Sequence, residues 1–448
     1  MLFEIMDRQT ALNTILRRKP LELGDVPPLV QARIQAGFGE ALSPLQAVQR
    51  VLADVRREGD PALRAWTARL DGVDLERFRV PQADIDAAVN ALPRAVLEDL
   101  RQAAERVENF HRQQPLTSWI TQSGGGTLGQ LVRPIRRVGL YVPGGTAPLP
   151  STVLMSAVPA RVAGVQQIAL VSPPRREDGK VAPVILAAAS VAGVDEVYAL
   201  GGAQAVAALA YGTRQVPAVD KIFGPGNLFV TLAKREVFGV VGIDGLAGPT
   251  ETMVIADDSA RPDWVALDLL AQAEHDILAS AILLTPSRRL AELVQRDVLR
   301  MLDAAGADVF SRAQVISAAL AANGGIVLTR YLEEALELAN LYAPEHLSLS
   351  VAEPWRWVER VQAAGGIFLG ERSFEVLGDY AAGPSHVMPT GGTARFASPL
   401  NVWDFVRLVS LVGLDPRTSR QVAAVSARLA RVEGLDAHAR AAEARTSI

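Results

Sequence analysis

The spacing of apolar and polar residues changes twice along the chain. Up to about residue 140, apolar residues recur at helical spacing, as in SPLQAVQRVLADVRREGDPALRAWTARLDG and LPRAVLEDLRQAAERVENFHRQQ, so this part is predicted to be mostly helical. From about residue 165, short β-rich runs alternate with helical ones, which is typical of βαβ units around a parallel sheet. The predicted strands are QIALVSP, EVYAL, DKIFG, TMVIADD, AILLT, GIVLT and GGIFLG.

The last predicted strands are separated by helices at roughly 261–274, 288–304 and 330–341, so two α/β modules of similar build are the simplest interpretation. Beyond about residue 400, helices are predicted in VWDFVRLVSLVG, SRQVAAVSARLARV and LDAHARAAEA. This tail is too small to bury its own apolar faces, and packing on a partner subunit is one solution.

Composition narrows the class of protein. A length of 448 residues with 49% hydrophobic and 21% charged residues suggests two or three domains with a large interior and no membrane span. With 45 Lys+Arg against 49 Asp+Glu, the charge gives no case for nucleic-acid or membrane partners, so a small-molecule ligand is expected. The N-terminus has no signal-peptide pattern, and we expect a cytoplasmic location.

The chain contains no cysteine, which excludes disulfides, cysteine-based zinc sites, iron–sulfur clusters and thiolate nucleophiles. Any metal must be held by His, carboxylate or amide oxygen. Four of the five histidines lie in short polar motifs, which is the strongest sign of a site because imidazole both binds metals and transfers protons. They are His275 in AQAEHD, His346 in YAPEHL, His386 in GDYAAGPSHVMPT and His438 in VEGLDAHA. His111 is predicted to be a surface residue.

Two kinds of glycine motif could bind a nucleotide. The G-x-G-x-x-G in SGGGTLG (123–129) is followed by a segment that looks extended, so a β-turn is favoured over a dinucleotide fingerprint. Gly201 and Gly202 follow EVYAL and open a helix, where backbone N–H groups can face a phosphate, and Gln204 would point into that crevice. FGPGN repeats the arrangement, with Asn227 at a helix start. A plain strand-to-helix turn explains each motif equally well.

Several polar residues have spacings that suit a metal or proton-transfer site. Gln272 and His275, three apart near a helix end, share one face and could bind one metal, although a helix-end hydrogen-bond arrangement is an equal alternative. Asp379 and His386 add a carboxylate and an imidazole in a predicted loop, where an Asx-type turn is the alternative.

Two further motifs are ambiguous when taken alone. Glu345 and His346 follow Pro344 in a predicted constrained loop and point in different directions, so they could serve different proton transfers. His438 would ordinarily be a solvated helix residue.

Taken together, these motifs resemble the histidinol dehydrogenase family. The resemblance runs from roughly residue 30 to 440, through VGLYVPGG, FGPGN, AGPTE, AQAEHD, APEHL, GDYAAGPSHVMPT and EGLDAHA in the family's order. It implies a homodimeric zinc enzyme that oxidises L-histidinol to L-histidine with two NAD⁺ in the last two steps of histidine biosynthesis, through an aldehyde held on the enzyme.

The resemblance also implies the roles of individual residues. Zinc would be held by Gln272, His275 and Asp379, with His438 from the other subunit. Proton transfer would fall to His346 as the base for the alcohol and to Glu345 as the group that activates water. The substrate would also contact Thr250, His346, His386, Glu433 and the zinc ligands, while the NAD⁺ crevice would be lined by Tyr141, Gln204 and Asn227. Thr250 departs from the family's usual serine, which retains the hydroxyl but adds a methyl group.

The resemblance implies an α/β fold of two similar, incomplete Rossmann-like parallel-sheet modules, with a helical N-terminal arm and a helical C-terminal tail exchanged in a dimer. We expect the arm at 1–30 and a first α/β domain with the zinc and catalytic residues at 31–140 and 250–395. A second, NAD-binding α/β domain is expected at 141–249, and the dimerisation tail at 396–448.

Three other functions compete with this interpretation. A paralogue that oxidises another small alcohol would not need His386, Glu433 and His438 to hold an amine and an imidazole. A zinc hydrolase could use Glu345 with activated water. A non-catalytic metabolite-binding protein fits poorly with a combined acid, base and metal set.

Overall fold

The computed structural model describes residues 3–18, 28–144 and 148–446. The strands there are β1 (Ile5–Asp7), β2 (Trp119–Thr121), β3 (Gly126–Pro134), β4 (Arg137–Tyr141), β5 (Gln167–Ser172), β6 (Glu196–Ala199), β7 (Lys221–Phe223), β8 (Gly242–Ile243), β9 (Glu251–Ala256), β10 (Ser280–Thr285), β11 (Gly324–Leu328), β12 (His346–Ser350), β13 (Gly366–Leu369) and β14 (Val406–Leu414).

The α-helices in the same residues are α1 (Arg8–Asn13), α2 (Pro28–Phe38), α3 (Pro44–Glu58), α4 (Asp60–Trp66), α5 (Gln82–Ala91), α6 (Arg94–His111), α7 (Pro150–Val162), α8 (Pro183–Val191), α9 (Gly202–Tyr211), α10 (Leu228–Val237), α11 (Pro262–Ala273), α12 (Arg288–Val309), α13 (Ala313–Asn323), α14 (Leu332–Tyr342), α15 (Glu375–Tyr380), α16 (Pro416–Val432) and α17 (Asp436–Glu443).

Two parallel sheets form the framework of the described residues. One has the strand order β1-β11-β10-β9-β12-β13 and the other the order β6-β5-β4-β7-β8, and all pairs within them are parallel. Strands β4, β9 and β10 are buried at every position, which explains their nearly continuous apolar sequences. The predicted α/β class with two parallel-sheet modules is confirmed. A third, antiparallel sheet has the order β14-β3-β2.

The N-terminal helices cover the five-stranded sheet. Val48 and Val51 of α3 pack in one cluster with Ala205 of α9, and Val107 of α6 packs in another with Val138 of β4. This differs from the expected grouping of 31–140 with 250–395. Because β4 joins the five-stranded sheet, the helices that precede it along the chain can bury their apolar stripes on its two faces. The domain boundaries themselves remain predictions.

Each end of the chain contains a strand that was not predicted: β1 lies in the expected N-terminal arm, and β14 lies where a helix was expected. In the expected arm at 1–30, β1 pairs with β11 at the edge of the six-stranded sheet, while residues 1, 2 and 19–27 lie outside the described residues. The predicted helix in VWDFVRLVSLVG is wrong. A short 3-10 turn (Val402–Phe405) leads into β14, whose valine-rich sequence pairs with all nine residues of β3.

The predicted tail helices are confirmed as α16 and α17, which pack on each other. They leave an apolar surface exposed in the single chain, made of Val422, Val425, Leu429, Val432 and Leu435. The tail therefore leaves part of its apolar face uncovered in the single chain, as predicted from its small size.

Other local predictions had mixed outcomes. SGGGTLG is confirmed as a turn that leads into β3 rather than into a helix. Neither α13 nor β12 was predicted. The surface assignment of His111 is wrong, since its side chain is fully buried and its Nδ1 lies 2.9 Å from the carbonyl oxygen of Val107. Among the described helices, none is long and apolar enough to cross a membrane.

Leu140→Ala should test the core of the five-stranded sheet, because Leu140 is fully buried on the central strand β4. Loss of the side chain leaves a cavity, and we expect the free energy of unfolding to fall by about 2–5 kcal/mol. Leu341→Ala is the control, because Leu341 is 61% exposed. Chemical denaturation of both variants measures the difference, and equal stabilities would contradict this account of the core.

Candidate active site

The candidate catalytic residues gather at the amino ends of β9 and β12. Thr250 directly precedes β9, Glu345 directly precedes β12, and His346 is the first residue of β12 rather than part of a loop as predicted. Adjacent pairing of the two strands brings His346 opposite Thr252. Helices α11 and α15 run back to the same edge and deliver Gln272 and Asp379.

Glu345 is fixed by two donors from the start of β9. Its Oε2 accepts hydrogen bonds from the hydroxyl of Thr250 at 2.8 Å and from the backbone N–H of Glu251 at 3.1 Å. Only 8% of the residue is exposed, and this burial raises the pKa of its carboxyl to about 7. The extra methyl group of Thr250 therefore does not prevent its hydroxyl from bonding.

The ring of His346 lies between two carboxylates. Nδ1 is 3.6 Å from Oε2 of Glu345 and Nε2 is 3.7 Å from Oδ1 of Asp379, and neither nitrogen has a hydrogen-bond partner among the described residues. Burial disfavours the charged ring, but the surrounding carboxylates outweigh that effect and raise its pKa to about 10. Phe368 stacks against the ring at 5.8 Å. Because of this high pKa the ring is protonated at neutral pH in the protein alone, and neither nitrogen is engaged by a hydrogen bond to the described residues.

Gln272 and Asp379 form a buried polar pair beside His346. The Gln272 amide donates to Oδ2 of Asp379 at 3.2 Å, and its oxygen accepts from the Thr250 hydroxyl at 3.2 Å. His275 lies in the turn just past α11, where its ring is exposed in the single chain. Loss of solvent around the ring lowers the pKa of His275, and the negative charge of Asp379 opposes this by favouring the protonated ring. The Gln272 amide and the Asp379 carboxylate thus meet at one place, and the His275 imidazole is near enough for its charge and that of Asp379 to affect each other's pKa.

Asp379 lies on α15, not in a loop as predicted. Burial would raise the pKa of its carboxyl, but His346, His386 and His275 together hold it below its usual value. His386 is oriented by its Nδ1, 2.8 Å from the carbonyl oxygen of Asp379, and by its Nε2, 3.1 Å from the hydroxyl of Thr152. Thr152 lies on α7, which follows β4, so the two parallel-sheet modules meet at this histidine.

Glu375 was missed by sequence analysis. It is 1% exposed, and its carboxylate accepts hydrogen bonds from Thr252 at 2.7 Å and Ser348 at 2.9 Å, one residue on each of β9 and β12. Burial raises its pKa. The spacing of Glu375 four residues before Asp379, on one face of a helix, is the signal that could have found it.

The glycine motifs lie at the carboxyl ends of the five-stranded sheet. Gly201 is the N-cap of α9, and the backbone N–H of Gly202 donates to the hydroxyl of Tyr141 at the end of β4, at 3.2 Å. Burial raises the pKa of Tyr141 to about 12, so its hydroxyl stays protonated. Asn227 caps α10 through hydrogen bonds from two of its backbone N–H groups. Both motifs form strand-to-helix turns, a geometry that the nucleotide-binding and plain-turn alternatives share.

Gln204 is more deeply buried than a residue that lines an open crevice. It is fully buried, its amide donates to Oδ2 of Asp71 at 3.0 Å, and its oxygen has no partner within the described chain. Asp71, which sequence analysis missed, has its pKa raised to about 6 by burial.

The two predicted tail residues remain apart from the others in the single chain. Glu433 and His438 are both exposed. Within the described residues, no three His, Cys, Asp or Glu side chains are placed to hold one metal. His438 is therefore not brought together with His275 and Asp379 inside one subunit.

Comparison with known proteins identifies the family. The family model described as histidinol dehydrogenase matches residues 40–446. A histidinol dehydrogenase of Moorella thermoacetica is 56% identical over 401 residues, 89% of this chain and 93% of that protein. One from Deinococcus radiodurans is 54% identical over 420 residues, 94% of this chain and 95% of that protein.

The structural comparison agrees with the sequence matches. A crystal structure of histidinol dehydrogenase from Elizabethkingia anophelis has a TM-score of 0.88 and 32% sequence identity, and the match covers 99% of this chain and 98% of that one. The chain belongs to the histidinol dehydrogenase family.

Proposed function

We propose that this chain oxidises L-histidinol to L-histidine through L-histidinal, as a zinc-dependent cytoplasmic homodimer that reduces two NAD⁺. Its family is one of NAD-dependent oxidoreductases. The observation that carries the proposal is a buried acid–base pair, Glu345 and His346, beside the amide–carboxylate pair of Gln272 and Asp379, in a chain without cysteine.

The residues present fit a zinc ion. Three carboxylates, those of Glu345, Asp379 and Glu375, surround the single imidazole of His346 and raise its pKa. Because negative groups are in excess there, a bound cation would balance their charge. Gln272, His275 and Asp379 supply nitrogen and oxygen ligands without sulfur, which zinc accepts. We propose these three as ligands, with His438 of a partner subunit as the fourth. Bound zinc would act as a Lewis acid and would orient the amine and imidazole of the substrate.

His346 is proposed as the base of the first oxidation. Its ring nitrogens have no hydrogen-bond partner among the described residues, and the nearby carboxylates would stabilise the imidazolium that forms. Because those carboxylates alone raise the pKa of the ring to about 10, His346 would serve as a base when a bound cation offsets their charge and leaves the ring neutral. The ring accepts the proton of the primary alcohol while hydride leaves the carbon for NAD⁺, which yields the aldehyde. One proton and one hydride leave the substrate, so the step is balanced.

Glu345 is proposed to activate water for the second oxidation. Aldehyde oxidation often uses a cysteine adduct, but this chain has no cysteine, so water must add to the carbonyl carbon. A carboxyl with a pKa near 7 can accept a proton from that water at neutral pH. Hydride then leaves the hydrated carbon for a second NAD⁺ and a proton is released, which yields the carboxylic acid.

NAD⁺ is proposed to bind at the carboxyl ends of the five-stranded sheet. Two helices, α9 and α10, begin there, and their N-terminal N–H groups suit a pyrophosphate. Tyr141, Gln204 and Asn227 are the proposed contacts, although the Gln204 side chain bonds to Asp71 in this conformation. The position agrees with the general rule that open α/β sheets bind ligands at their carboxyl edge.

The substrate is proposed to contact Thr250, His346, His386 and the zinc ligands, together with Glu433. Glu433 directly follows α16 and His438 lies on α17, and both are exposed near an uncovered apolar surface. A partner subunit that covers this surface would receive both residues. This arrangement supports a homodimer with shared sites.

The direct test is to mix the purified protein with L-histidinol and NAD⁺ and to measure NADH against histidine. Two NADH per histidine is the expected ratio. Turnover without NAD⁺ would instead favour a zinc hydrolase, and oxidation of a different small alcohol in preference to histidinol would favour a paralogous dehydrogenase.

His346→Asn should nearly abolish turnover of histidinol and leave zinc bound, because His346 is proposed as a base and not as a ligand. A loss of about 10²–10⁴-fold in kcat is typical when a general base is removed. Metal analysis of the variant is the second measurement, and loss of stoichiometric zinc would show that His346 is a ligand.

Glu345→Gln should slow the aldehyde-to-acid half more than the alcohol oxidation, because only the second half needs activated water. The amide keeps the size of the side chain but cannot accept the proton. Supplying L-histidinal directly isolates this half, and oxidation at the parental rate would refute the role given to Glu345.

His438 should act in the partner's site. His438→Ala and His275→Ala homodimers should each be inactive because every site lacks one ligand. In a co-refolded heterodimer one site collects both defects and the other has neither, so up to one functional site per dimer should return. No recovery in verified heterodimers would contradict the shared site.

A further inference from the structure

The segment that presents Glu345 and His346 begins at an unusual helix end. Helix α14 ends at Tyr342, and Ala343 follows with φ +52°, a left-handed conformation that is strained for a residue other than glycine. The carbonyl groups at such an end need donors, and the last turn of α14 contains no basic residue. Whatever satisfies these carbonyls also controls the direction in which the chain enters Glu345.

Arg18, more than 300 residues earlier in the chain, satisfies them. Its Nε donates to the carbonyl oxygen of Tyr342 at 2.8 Å, and its Nη2 donates to the carbonyl oxygens of Tyr342 at 2.6 Å and Ala343 at 3.2 Å. The guanidinium carbon lies 3.9 Å from the centre of the Tyr342 ring. A cation at the carboxyl end of a helix is also favoured by the helix dipole.

The same guanidinium holds the strand on the other side of Glu345. Its Nη2 donates to Oε2 of Glu251 at 2.8 Å and its Nη1 bonds to Oε1. Glu251 is the first residue of β9, and its backbone N–H donates to the Glu345 carboxylate at 3.1 Å. The Glu251 side chain also accepts from the N–H of Gly391 at 2.9 Å. Arg18 thus bonds both to the turn before Glu345 and to the residue that holds the Glu345 carboxylate.

We propose that Arg18 is a positioning residue for the two oxidation steps, which it serves without touching substrate. This inference rests on the proposed function. The planar guanidinium spans the left-handed turn and the start of β9, and so sets the spacing between Glu345, His346 and Thr250. Only arginine has the forked donors that can bond a carboxylate and two carbonyl groups at once.

The test compares Arg18→Ala with Arg8→Ala. Arg8 is a matched control because it also joins the N-terminal segment to α14, through Glu334 at 3.6 Å, but at the opposite end of the helix. For folded, zinc-loaded Arg18→Ala we expect kcat with histidinol to fall about 10–100-fold while KM for NAD⁺ stays within about twofold, since small displacements of reacting groups are costly. The control should keep its kcat.

Two further measurements separate positioning from loss of folding. Millimolar guanidinium chloride should restore part of kcat in Arg18→Ala and none in Arg8→Ala, because the small cation can occupy the vacated space. Arg18→Lys keeps the charge but not the fork, and should fold while retaining a lowered kcat. Full kcat in either Arg18 variant, or a loss that guanidinium does not reverse, would overturn the inference and leave the proposed function intact.

Failure of the proposed function can be recognised separately. If the parent protein makes no NADH from histidinol, hydrogen exchange of the peptide that spans 342–349 still tests Arg18. Faster exchange in Arg18→Ala than in the parent and in Arg8→Ala supports the positioning role. Unchanged exchange would overturn it.

Discussion

Burial of opposite charges at the amino ends of β9 and β12 is the constraint on which the site depends. Glu345, Glu375 and His346 are almost fully enclosed, and a buried charge is tolerated only when partners compensate it. The hydroxyls of Thr250, Thr252 and Ser348 supply hydrogen bonds, and the imidazole supplies positive charge. The two adjacent parallel strands provide these partners in register. The sheet therefore serves as the rigid base of an acid–base pair.

Close packing of α15 against β13 fixes the side of the site that carries Asp379. A side chain at Gly378 would place its Cβ 2.6 Å from the Phe368 ring, so glycine lets α15 lie directly against β13. Phe368 in turn stacks on His346. The neighbouring Asp379 is thereby held 3.7 Å from the His346 ring and 3.2 Å from the Gln272 amide. One missing Cβ thus determines the separation between the proposed base and a proposed zinc ligand.

The sequence pattern predicted structure that depends on local or repeated residue spacing. It failed where a partner far along the chain determines the conformation or the burial of a residue. Most of the parallel strands were predictable because burial on both faces leaves continuous apolar runs, and the order of the motifs pointed to the family. The parallel strand β12 was not predicted, because its sequence HLSLS is buried without being continuously apolar. Strand β14 was not predicted, because the sequence VRLVSLV is compatible with either a helix or a strand. Pairing with β3 determines that it is a strand. His111 lies in a charged segment at the end of α6, yet packing buries its side chain fully. Arg18 acts through partners more than 200 residues away, which no spacing in the sequence reveals.

The two parallel sheets contribute opposite edges to the proposed reaction. In the five-stranded sheet, Tyr141 and Asn227 lie at the carboxyl edge, where helix N-termini favour an anionic dinucleotide. In the six-stranded sheet, Glu345 and His346 lie at the amino edge, where α11 and α15 end and place the proposed ligands. Helix α7 connects them, since it follows β4 and carries Thr152 to His386. Separate sheets would then position NAD⁺, the hydride acceptor, and the proton-accepting residues. The single acid–base pair of Glu345 and His346 could therefore serve two successive oxidations without a covalent cysteine intermediate.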